Sequence, residues 1–186
     1  MTTCIALLRG VNVGRAKRIA MADLRELVES LGHRNVRTLL NSGNVVFDAR
    51  GSSAGKLGQS IETAIQARFG FAVRVGIVTA AELSAIVRTN PLPHGAGDPA
   101  RYLVAVAASE ATLARAKALL EERWAPEAIA VDKRAAYLWC AHGLIESKVL
   151  KAFERATESE ATTRNWTTIL KLQAAAGAGK LTPDDG

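Results

Sequence analysis

Apolar residues fall along this chain in two rhythms that take turns. Residues 3–8 form an unbroken apolar run of strand length. Leu24, Leu27, Val28 and Leu31 then recur at helical spacing, which predicts a helix over residues 22–31 that Gly32 ends. Residues 36–40 and 45–47 read as strands joined by Asn41-Ser42-Gly43-Asn44, a hairpin turn. Ile61, Ile65 and Phe69 mark a second helix ending at Gly70, and residues 71–78 alternate as a strand. Thr79 caps a short helix over residues 80–88.

Residues 90–100 hold Pro91, Pro93, Gly95, Gly97 and Pro99, so neither a helix nor an interior strand is expected there. The order then restarts. A strand is expected over residues 102–107, a helix capped by Ser109, strands over 128–131 and 136–140, and helices over 146–156 and about 164–175. The expectation is an α+β fold of two tandem ferredoxin-like units (β-α-β-β-α-β order) packed together, the second lacking its last strand and ending in extra helices. The first unit takes residues 1–89, a linker 90–100, the second unit 101–176 and a flexible tail 177–186.

This order has a functional consequence. The first two strands of such a unit run the same way, so the loop after the first strand and the hairpin turn share one sheet edge. In this chain that loop is Arg9-Gly10-Val11-Asn12-Val13-Gly14 and the turn is Asn41-Ser42-Gly43-Asn44. Glycines permit the positive φ angles that turn backbone N–H groups toward an anion. Arg9 adds a guanidinium fork, Arg15, Lys17 and Arg18 add charge, and no acidic residue precedes Asp23. The plainer reading is a hairpin turn beside a solvated basic loop. A second candidate lies at Thr162-Thr163-Arg164-Asn165-Trp166, where Thr163 caps the last helix and leaves Arg164 at its positive end. Trp166 stacks on a base there or packs in the core; Ser147 and Lys148 open the preceding helix.

Composition changes this picture only a little. The 186 residues carry a formal net charge of +6, which favours acidic partners. No apolar run is long enough to cross a bilayer, and residues 1–10 do not read as a signal peptide, so the expected place is the cytoplasm and no membrane partner is expected. Cys4 and Cys140 sit in apolar runs and read as reduced core thiols. Gly51-Ser52-Ser53-Ala54-Gly55-Lys56-Leu57 falls short of a phosphate-binding P-loop: three residues separate the glycines, and no hydroxyl follows the lysine. Cys140 and His142 lack paired metal spacing and an orienting acid, so no metal and no catalytic residue is assigned. The cofactor and the oligomeric state are left open.

The segments ALLRGVNVGRAKRIAMADLRELVESLG, VRTLLNSGNVVF and ATTRNWTTILKL resemble, in order and over nearly the whole chain, the bacterial family known as domain of unknown function 1697. The resemblance implies a cytoplasmic duplicated ferredoxin-like protein with no agreed reaction. The pieces typical of that family are Arg9, Gly10, Asn12, Gly14, Ser42, Gly43, Asn44, Lys148, Arg164, Asn165 and Trp166. A second glycine usually follows Gly14 in the family; Arg15 stands there in this chain. Three readings follow: a site for a phosphate- or carboxylate-bearing small molecule, a nucleic-acid-binding module, and a non-enzymatic protein-interaction domain. In the first, Arg9 and Arg164 pair the anion with Lys148 nearby, Asn12 and Asn44 orient it, and Ser42 donates a hydrogen bond.

Overall fold

The computed structural model describes residues 1–93, 97–107 and 109–178. Residues 94–96 of the expected linker and 179–186 of the expected tail lie outside these described residues. The chain divides into two compact units, one of Met1–Leu83 with the segment from Lys171, the other of Ser84–Leu170.

In the first unit β1 (Thr2–Leu8), α1 (Met21–Ser30), β2 (Arg34–Leu39), β3 (Asn44–Ala49), α2 (Ala54–Phe69) and β4 (Val75–Thr79) follow in order. The sheet runs β2-β3-β1-β4, with every adjacent pair antiparallel. Strands β1 and β2 therefore point the same way with β3 between them, the ferredoxin-like arrangement. Cys4, Ala6, Leu8, Val45, Phe47 and Ile77 form one core with Leu24, Leu27 and Val28 of α1 and Leu57, Ile61 and Ile65 of α2. Those helix positions bury because they repeat every three to four residues. Ser53 caps α2, and Gly70 closes it at φ 78°. Residues 71–74 lie outside β4, so the strand is shorter than its alternation suggested.

Thr79 and Glu82 form a reciprocal capping box at α3 (Ala80–Arg88): the Glu82 N–H donates to Thr79 Oγ1 at 3.1 Å, and the Thr79 N–H donates to Glu82 Oε2 at 2.8 Å. The second unit then holds β5 (Tyr102–Ala107), α4 (Glu110–Arg115) capped by Ser109, a 3-10 turn over Ala116–Glu121, β6 (Ala128–Val131), β7 (Ala136–Trp139), α5 (Lys148–Ala156), β8 (Ala161–Asn165) and α6 (Trp166–Gly177). Its sheet runs β6-β7-β5-β8, again antiparallel throughout.

Strand β8 corrects the expectation that this unit lacks its last strand. Thr162 and Thr163 are β-branched and favour a strand, and they pair with Val106 and Ala105 of β5. The helix begins only at Trp166, and the side chain that caps it is Asn165, whose Oδ1 accepts the Thr168 N–H at 2.9 Å, in place of Thr163. Both sheets bury both faces at their central strands: Cys4 through Leu8 and Tyr102 through Val106 are each at most 4% exposed.

Candidate functional site

The loop after β1 and the β2–β3 turn meet, as the strand order requires. The Leu8 N–H donates to the Gly43 carbonyl at 2.8 Å, and Gly43, at φ 76°, lies so close to Leu8 and Val11 that a Cβ there would come within 2.5 Å of Val11 Cγ2. Asn12 completes the junction. Its Nδ2 donates to the Ile19 carbonyl at 2.9 Å and to the Asn41 carbonyl at 2.8 Å, while its Oδ1 accepts the Ile19 N–H at 2.9 Å. Both amide hydrogens of Asn12 are thus used to close the loop and tie it to the turn. Asn44 is fully buried and works from the other side, its Nδ2 donating to the Leu39 carbonyl and to Ser42 Oγ, both at 2.9 Å. These two asparagines build the rim.

The loop backbone alternates in hand. Gly10, Asn12 and Gly14 have φ of 67°, 57° and 62°, while Val11 and Val13 do not share the left-handed region. Such alternation turns successive N–H groups toward one side. The N–H groups of Gly10, Val13 and Gly14 have no hydrogen-bond partner among the described residues. The Arg9 N–H donates to the Arg74 carbonyl at 2.9 Å, and Lys17 Nζ reaches the Ala72 carbonyl at 2.9 Å, which pins the far side of the loop.

A cleft of about 360 Å³ opens beside this junction, lined by Asn12, Arg18, Ile19, Ala20, Met21 and Asn41. Ala20 is the N-cap of α1 and offers no side-chain cap, so the positive end of that helix opens here. Arg18 is exposed, with no hydrogen-bond or ion-pair partner among the described residues. The lining has a guanidinium and amides and contains no carboxylate, imidazole or thiol. The sequence pointed to Arg9 as the principal cation and to Arg18 only as added charge. Arg18 gains its place from the turn of the chain into α1, which no local motif announces.

The remaining candidates, Lys148, Arg164, Asn165 and Trp166, belong to the second unit. The start of α5 is already filled. Glu127 Oε2 accepts the Lys148 and Val149 N–H groups at 3.0 Å each, and Ser147 Oγ accepts the Leu150 N–H at 3.1 Å. Glu127 is buried, and its Oε1 has no hydrogen-bond partner among the described residues. The sequence did not single it out, because it lies 21 residues from the helix it caps. Arg164 lies on β8, its Nη1 donates to the Thr163 carbonyl at 2.9 Å, and burial pushes its guanidinium down to about 10. The Trp166 ring packs on Tyr102, centroids 5.4 Å apart, and the Trp166 backbone N–H donates to the Pro99 carbonyl at 3.2 Å. Burial pushes the Cys4 and Cys140 thiols up, which keeps them protonated and poor nucleophiles.

Two ferredoxin-like units, the first edged by a basic glycine-bearing loop, define the class: a duplicated α+β protein. The chain belongs to the family described as a protein of unknown function, DUF1697, whose model matches residues 1–137. Among solved structures it is similar to the conserved bacterial protein SP0830 from Streptococcus pneumoniae, at 23% identity and a TM-score of 0.74, over 94% of this chain and 98% of that one. That likeness concerns the fold. Among curated proteins none matches the sequence. Among the described residues no helix is long and apolar enough to cross a membrane.

Proposed function

We propose that the first unit binds a small molecule through a phosphate or carboxylate group at the rim formed by the β1–α1 loop and the β2–β3 turn. The observation that carries this reading is the cleft at the uncapped start of α1, with the unpaired Arg18 guanidinium in its wall. A helix N-terminus and a guanidinium both favour negative charge, and left-handed glycines beside them leave further N–H groups available. The charge distribution agrees: residues 1–83 hold eleven Lys and Arg against six Asp and Glu. With no acid or base in the cleft wall, the reading is binding; it includes no proton transfer. We place it in the cytoplasm, where free buried thiols such as Cys4 and Cys140 stay reduced.

Thermal shift of the full chain against inorganic phosphate, nucleotides and sugar phosphates tests it. Stabilisation that Arg18→Ala reduces at least tenfold in apparent affinity supports the site; no shift anywhere in the panel overturns it. Arg9→Ala in the same assay tells whether that cation shares the anion. A single-stranded RNA in the panel covers the nucleic-acid reading, which burial of both faces of the central strands leaves without a stacking surface there.

A further inference from the structure

Resting on that reading, we propose that the ligand is an organic anion with an apolar group next to its charge, held by Val13 and Leu40 at the edge of the cleft. The first unit exposes few large apolar side chains. Apart from Met1 they are, among the described residues, Val13, 72% exposed, and Leu40, 47% exposed. Each is the chain neighbour of one partner in the hydrogen bond that joins loop to turn, Asn12 to Asn41. Scattered surface hydrophobics need no account, but here each adjoins in the chain a residue that lines the cleft, Asn12 or Asn41.

Leu40 has a second peculiarity. It sits at φ 58°, in the left-handed region, where asparagine, aspartate or glycine is the comfortable choice. A branched side chain there carries backbone strain and, being exposed, gives little to the core in return. A ligand contact accounts for the choice. Ala20 and Met21 put apolar atoms in the cleft wall beside Arg18, so charge and apolar surface adjoin. The cleft, at about 360 Å³, is the size of a small-ligand site.

The test is a pair of NMR titrations of the full chain, one with inorganic phosphate and one with phenyl phosphate, on the wild type and on Val13→Ser, Leu40→Asn and the double variant. Asparagine tolerates the left-handed backbone and neither position is in the core, so melting temperatures near wild type are expected to confirm folding. Phenyl phosphate should bind about tenfold tighter than phosphate, and that ratio should fall toward one in the double variant while phosphate affinity holds. A ratio near one in the wild type overturns the inference, as does a large ratio that the variants leave intact. Failure of both probes to bind brings down the anion reading itself, and this inference with it.

Discussion

At position 43 a side chain of any size collides with the loop. An alanine Cβ would stand 2.5 Å from Val11 Cγ2 and 2.8 Å from Leu8 Cβ, on a backbone already at φ 76°. Gly43→Ala should therefore cost about 2–4 kcal/mol, from left-handed strain and overpacking together. Urea denaturation measures it, and a loss below about 1 kcal/mol would mean that the turn moves aside freely. This glycine was legible in the sequence as a turn residue and as part of the expected anion site, and not as a packing contact. Its contact with Val11 depends on two strands lying in one register, and local spacing holds no record of that. The same is true of Asn12, whose side-chain amide donates to the carbonyls of Ile19 and Asn41 and so ties the loop to the turn.

Among elements, the helices and the longer strands were readable because their apolar positions repeat with a period of 3.6 or 2, and the caps Thr79 and Ser109 stand where two of those periods begin. Strand β8 was not readable in that way. Its five residues, Ala-Thr-Thr-Arg-Asn, are short and mostly polar, and pairing with β5, far away in sequence, overrides the helical signal that follows. The start of α5 makes the same point. Its anion is Glu127, which only the folded chain delivers. Glu127→Ala should destabilise the protein by about 2–3 kcal/mol, since two helix N–H groups lose a charged acceptor in a buried place. Glu127→Gln keeps an acceptor and should cost about half as much. Denaturant midpoints of the two variants check the order; equal losses would show that packing outweighs the cap.

At the scale of the molecule, the expected duplication is there as two sheets of one topology, orders β2-β3-β1-β4 and β6-β7-β5-β8. That much followed from the repeated order of strands and helices. The division of α6 did not follow, because it depends on contacts with residues far away in sequence. Its residues through Leu170 count with the second unit and those from Lys171 with the first. In the first unit Arg37 of β2 donates to the Ala175 carbonyl at 2.8 Å, and Leu172 and Ala176 are buried. Ending the chain after Leu170 should therefore loosen the first unit by about 2–3 kcal/mol, the worth of one buried leucine and its neighbours. Hydrogen exchange on β2 and β3 reads this directly; unchanged protection there would show that the segment is dispensable.

The split of α6 also sets a schedule for a newborn chain. On a ribosome adding roughly 5–20 residues per second, Met1–Leu83 must wait on the order of ten seconds for its last piece, while all of Ser84–Leu170 is made. During that interval the first sheet is whole in strands but short of its closing helical turns, and a chaperone would meet it in that state.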